Sequence, residues 1–232
     1  MPTFSTFNAF GSATNDLGKS HTPVWLGVVG PVPVGGTLDK AYAKPGFFLG
    51  AGAPVNLTNK VIKPFFAWKV VSFTAGDGTT VTTDTVVVKP AGGVAPAVGD
   101  FIQKVGSSFS ATGKAAEVAS VDLLTSGTNA GCYEVKVAHS ATIDSVSAGD
   151  AISLSSAVAA GSSKSLAVQP NGYLYNDIYF GTLEGDADTY TIAATGAVVM
   201  YHHDGLLIDL TPSAEVKAQM KAAVPGVLQV EV

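Results

Sequence analysis

The sequence contains no arginine: its thirteen basic residues are all lysines. Arginine is the usual bidentate clamp for phosphate groups, and its absence beside a net charge of -5 argues against a nucleic-acid partner. Charged residues of any sign make up only 13% of the chain, where soluble domains usually carry about a quarter. There is a single cysteine, Cys132, so no disulfide can form within the chain. It reads as a small buried thiol on a strand: a catalytic thiol would need a histidine base, and although His139 lies seven residues along, nothing else marks such a site. Long hydrophobic runs are also missing. A membrane-crossing helix needs roughly 18 apolar residues in succession, and the best stretch, Val24 to Val34, is broken by Gly27, Gly30, Pro31 and Pro33. The first residues, Met1-Pro2-Thr3-Phe4, lack both the basic and the apolar segments of a secretion signal. No membrane association is expected, by helix or by outer-membrane barrel.

What is present is apolar: 47% of residues are hydrophobic and the mean hydropathy is +0.33. With no span for lipid, that surface has to be buried in a core or against other subunits. Twenty-six glycines and twelve prolines break the chain into short runs rich in Val, Thr, Ile and aromatics. This pattern predicts a mainly β fold. Strands are expected at 25–29, 47–49, 61–67, 69–73, 80–89, 101–105, 116–124, 132–138, 151–154, 172–180, 190–194, 197–201, 206–210 and 227–232. One short helix is expected near the C-terminus, with Thr211 as N-cap and Pro212 in the first turn, ending at about Ala223 before Pro225-Gly226.

The composition shifts along the chain. Both tryptophans and six of the seven tyrosines lie outside 74–164, which is rich in small residues. The chain therefore reads as a discontinuous outer domain, 1–73 plus 165–232, of β-sandwich or barrel-like form. A small β-domain, 74–164, is inserted into it, with 155–165 as the return linker. Within the insert, Ala97-Val98-Gly99-Asp100-Phe101-Ile102 parallels Ser147-Ala148-Gly149-Asp150-Ala151-Ile152. In each, Gly permits a left-handed turn, Asp can bond the turning backbone, and a strand follows. Internal duplication and one turn chemistry used twice both fit.

Several motifs invite a chemical reading. Ala13 to Ser20 fits a relaxed phosphate-loop pattern, but no helix can follow it through Pro23, Gly27 and Pro31. His202-His203-Asp204-Gly205 could offer metal ligands. Neighbouring strand residues point to opposite faces, however, and Asp204-Gly205 makes a good hairpin turn. Glu184, Asp186 and Asp188 form an acidic loop without a full calcium pattern. No pair of carboxylates is singled out for glycosidase work, and no nucleophile elbow occurs. The expectation is no catalytic residue, no metal and no cofactor. Two aromatic groups stand out instead as partner-binding candidates. Phe4, Phe7 and Phe10 recur at every third position of an N-terminal arm. Tyr173, Tyr175 and Tyr179 share strand parity and could face a sugar, a partner protein or the chain's own core.

Two stretches carry a resemblance. Phe47 to Leu57, a hydrophobic strand followed by Ala51-Gly52-Ala53-Pro54-Val55, resembles a turn common in phage capsid-associated proteins. Residues Ala197 to Asp209 with the following helix are similar to the C-terminus of head fibre or capsid decoration proteins of tailed phages infecting gut Bacteroidetes. The resemblance covers the flanks of the chain and implies a virion component without enzymatic activity. It implies attachment to the major capsid protein on the capsid exterior, assembly in the host cytoplasm, and a homo-oligomer with a trimer favoured. The first expectation is thus a structural decoration or head-fibre protein. The alternative is a carbohydrate-binding or adhesin module with a surface glycan as partner, and a β-fold hydrolase ranks last.

Overall fold

A computed structural model describes residues 36–42, 48–49, 52–91, 94–139, 143, 146–174, 178–179, 193–194, 198–199, 205–206, 213–224 and 228–229. The fold is mainly β, with one short α-helix among the described residues. The strands, in chain order, are β1 (Gly36–Leu38), β2 (Phe48–Leu49), β3 (Pro54–Thr58), β4 (Val61–Pro64), β5 (Ala67–Thr74), β6 (Thr83–Val88), β7 (Phe101–Lys104), β8 (Gly113–Lys114) and β9 (Ala116–Leu123). They continue as β10 (Tyr133–Ala138), β11 (Ala151–Leu154), β12 (Ser163–Lys164), β13 (Gly172–Leu174), β14 (Ile178–Tyr179), β15 (Ala193–Ala194), β16 (Val198–Val199), β17 (Gly205–Leu206) and β18 (Leu228–Gln229). The chain divides into two compact units, one of residues 1–64, 170–210 and 220–232, the other of 65–169 and 211–219.

In the first unit a six-stranded sheet runs in the order β15-β1-β4-β3-β13-β16. Its pairings are antiparallel except β1 with β4. Val55, Ile62, Tyr173 and Leu174 are fully buried there. The turn joining β3 to β4 is built on Asn59 and Lys60, both at positive φ (53° and 62°). That is the two-residue hairpin geometry matching strand twist. Asn171 prolongs the ladder beyond β13: its side chain accepts from Leu57 N at 2.8 Å and donates to Leu57 O at 3.0 Å. One expected strand is divided: the run 172–180 splits into β13 and β14, which lie in separate sheets. The hairpin expected around Asp204-Gly205 falls largely outside the described residues; β16 pairs with β13, and β17 pairs in parallel with β18.

The second unit holds the closed barrel, six antiparallel strands in the order β10-β6-β5-β11-β7-β9. The barrel therefore belongs to the insert. The segment 67–73, assigned from sequence to the outer domain, is one of its staves. Closure leaves no free strand edge. Alternate residues point inward and form the core: Trp68, Val70, Val86, Val88, Ile102, Val118, Val135, Val137 and Ile152 are at most 1% exposed. Each such side chain contributes about 1.5–3 kcal/mol of burial.

The barrel is an internal duplication in fold. Strands β5 to β8 trace the path that β9 to β12 trace again. Val70 corresponds to Val118, Val88 to Val137, Ile102 to Ile152 and Lys114 to Lys164. Exchanging the halves turns the pairing Asp84↔Val137 into Val88↔Tyr133, and both are observed. Both first strands carry a bulge at the equivalent place, Val71 after Val70 and Ala119 after Val118. The paired glycine turns match bond for bond. Gly99 (φ 87°) donates to Val118 O and Gly149 (φ 96°) to Val70 O, each at 2.9 Å. Asp100 accepts from Ala97 N at 2.7 Å and Asp150 from Ser147 N at 2.8 Å. Residues 155–165, expected as a linker, form part of this scheme: β12 pairs with β8, and Ser155 Oγ donates to Gln103 Oε1 at 2.5 Å.

The helix α1 (Ala214–Ala223) is capped by Ser213, whose Oγ accepts from Val216 N at 3.3 Å. The cap thus falls two residues later than the expected Thr211, which lies outside the described residues. Val216 and Met220 form its buried stripe, and Val224, just past its end, is buried as well.

Candidate functional site

Most of the residues singled out in the sequence fall outside the described residues: Phe4, Phe7, Phe10, Tyr175, the 13–20 loop, the acidic 184–188 segment, and His202, His203 and Asp204. Tyr179 lies on β14, opposite Phe48. Tyr173 is described and is fully buried between β3 and β16. A ring without an exposed face cannot stack on a sugar, so Tyr173 acts as core. Cys132, just before β10, is buried too.

Among the described residues, a constellation of ionisable groups lies on the barrel rim, where the loop 75–82 meets the end of β10. Asp84 on β6 has the inward parity of Val86 and Val88, so its carboxylate enters the barrel wall with no exposure. A buried carboxylate needs partners. Its Oδ1 accepts from Gly76 N at 2.8 Å and from His139 Nδ1 at 2.6 Å. Its Oδ2 is buried and has no hydrogen-bond partner. His139 is one-third exposed, and its backbone N donates to Thr82 O at 2.9 Å.

The loop itself is tightly determined. A side chain at Gly76 would run into the carbonyl oxygens of Val81 and Thr83, and one at Gly78 would press on the His139 ring at 3.1 Å. Between them Asp77 Oδ1 accepts from the backbone N of Thr79, Thr80 and Val81 at 2.7–2.8 Å. The bonds from Val81, Thr79 and Thr80 hold the Asp77 carboxyl below its ordinary pKa of 3.8.

Chemically, an imidazole oriented by a carboxylate is two-thirds of a nucleophilic triad. Among the described residues no hydroxyl or thiol is hydrogen-bonded to Nε2, and Gly78 lies beside that edge of the ring. What the pair does is fasten the loop: Asp84 joins Gly76 to His139, and His139 joins Thr82. Neither His139 nor Asp84 stands out in the sequence as a site residue. The available signal was an aspartate in phase with the buried valines of Thr83-Asp84-Thr85-Val86-Val87-Val88.

Among the described residues no group of three His, Cys, Asp or Glu side chains is placed to hold a metal ion. No described helix is long and apolar enough to cross a membrane. No family model, curated protein or solved structure matches the chain.

Proposed function

We propose that this chain is a structural virion protein, a capsid decoration or head-fibre protein that binds the major capsid protein and works as a homo-oligomer, a trimer being favoured. The observation that carries this reading is the division of labour along the chain. The two flanks, which hold the resemblance to phage head proteins, contribute to one unit. The middle closes on itself as a barrel with every strand edge paired. A self-closed unit can be displayed in many copies on a particle without edge-to-edge aggregation. In this reading the flank unit is the attachment base, on the capsid exterior, and the barrel is what it displays. The scarcity of charge over the whole chain suits stable contacts with neighbouring subunits.

Mass spectrometry of purified virions tests this directly. Recovery of the chain in stoichiometric proportion to the major capsid protein is expected, and its absence would end the proposal. A carbohydrate-binding role draws on the tyrosine stripe, which the burial of Tyr173 leaves one ring short. Selective binding on a glycan array, abolished by Tyr175→Ala, would put that role in place of the virion one.

A further inference from the structure

An asparagine followed by glycine is the pair most prone to spontaneous cyclisation, because glycine has no Cβ to shield its backbone nitrogen from the neighbouring amide carbon. Of the chain's asparagines only Asn171 is followed by glycine, at Gly172. With Pro170 before it, the pair reads as a turn, where such chemistry runs freely. The structure puts it elsewhere. Gly172 is the first residue of β13, buried and opposite Val55 of β3, in a strand that lies between β3 and β16.

The side chain of Asn171 is engaged as well. Its Oδ1 accepts from Leu57 N at 2.8 Å and its Nδ2 donates to Leu57 O at 3.0 Å, so the amide stands in for a backbone peptide in the ladder. The backbone is held on both sides of the pair: Asn171 N donates to Val55 O at 3.0 Å, and Leu174 N to Ala53 O at 2.9 Å. Cyclisation needs the opposite arrangement. Gly172 N must reach Asn171 Cγ, which requires the side chain to leave Leu57 and the backbone to leave its extended conformation.

From this placement we infer that Asn171 is a latent modification site, a site of spontaneous deamidation that the pairing of β3 with β13 keeps closed. When the pairing opens, a bond forms between Gly172 N and Asn171 Cγ, and the Cγ–Nδ2 bond breaks. Nδ2 departs as ammonia with the proton that Gly172 N gives up, and a succinimide ring remains. Water then opens the ring at either carbonyl, giving an aspartyl or an isoaspartyl residue. No oxidant or cofactor takes part. Neither product can donate to Leu57 O, because the amide donor has become a carboxylate, which at neutral pH is ionised and accepts only. Its charge would instead face that carbonyl oxygen, and the isoaspartyl form also adds a methylene to the backbone. The step is one-way, so an opening of the sheet is recorded as a lost hydrogen bond. This inference goes beyond the virion reading and does not depend on it.

The test holds the full chain at mildly alkaline pH, natively and in rising urea up to complete unfolding. Digestion at acid pH halts conversion, and mass spectrometry then reads the products at position 171. The expected result is conversion at least about tenfold slower in the native chain than in the unfolded one, accelerating in urea as local opening becomes more frequent. Equal rates in the two states would overturn the inference, since the pairing would then protect nothing. So would an unfolded chain that fails to convert. The consequence of conversion is read in the variant Asn171→Asp by hydrogen exchange. The amides of 55–58 and 171–174 should exchange at least about fivefold faster than in the native chain, the effect of losing one hydrogen bond. Exchange unchanged from the native chain would overturn the one-way step. The virion proposal fails separately: a chain missing from virions leaves the protection of Asn171 intact, and an unprotected Asn171 leaves the virion role.

Discussion

Residues 67–114 and 116–164 trace the same path through the barrel, yet they spend their polar residues differently. In the wall the two repeats agree. Val70 and Val118, Val86 and Val135, Val88 and Val137, and Ile102 and Ile152 fill equivalent inward positions, and even the buried polar residues Gln103 and Ser153 coincide. At the rims they part. Asp84, buried and bonded to His139, has Tyr133 as its counterpart, and His139 has Pro90. Lys104, paired with Asp150 at 2.7 Å, has Leu154. The inward positions are constrained by the shared volume of one closed core. The rims face different surroundings and are free to diverge, so rim differences are where function is to be sought.

The largest effect expected from this comparison lies in the core. Ile102→Ala and Ile152→Ala should each cost about 2–5 kcal/mol, because both side chains are fully buried and each truncation leaves a cavity. If the repeats are equivalent in packing, the two losses agree within about 1 kcal/mol in urea unfolding. A larger gap would show that one half dominates the core.

The Asp84 latch is the sharpest break in the symmetry. Asp84→Ala leaves the Gly76 N–H and the His139 ring without their shared acceptor, at a cost of about 1–3 kcal/mol. Hydrogen exchange should speed up in 75–82, while the equivalent loop 124–132 stays protected. Equal acceleration in both loops would mean that the latch holds the barrel as a whole rather than one rim.

The smallest effect concerns acid stability. The folded-state pKa of Asp77 lies below its ordinary value, so its contribution is complete above pH 3.8 and is lost as pH falls through the depressed value. Asp77→Asn should melt slightly below the native chain at neutral pH, and the two melting curves should converge as the solution is acidified below about pH 3.8. A difference that persists unchanged in acid would remove the ionised carboxylate from the account of this loop.

How much of this could be read from the sequence depends on the range of the interactions concerned. Strand β11 was legible to the residue, and β7, β9 and β10 to within one, because each is a short β-branched or apolar run bounded by turn residues. The repeated Val-Gly-Asp and Ala-Gly-Asp turns were visible as well, since a glycine forced to positive φ and an aspartate bonding its own turn are local chemistry. Strand β3 was missed because Pro54 and the Asn59-Lys60 turn look unlike a strand and a hairpin. The usual glycine is absent there, and the lysine adopts a left-handed conformation instead. The Asp84–His139 site was missed because its members lie far apart in sequence and meet only where β6 pairs with β10.

The sequence by itself determined the mainly β character, the positions of most barrel strands and the turn chemistry, because these follow from side-chain alternation and local backbone preference. Only the tertiary structure decided that the middle of the chain is a closed, duplicated barrel that includes 67–73, and that 155–165 folds back to pair with β8. It alone decided that Tyr173 is core and that one rim is latched. Strand pairing, register and burial depend on residues distant in the chain, and no local pattern encodes which distant strand will supply the missing hydrogen bonds.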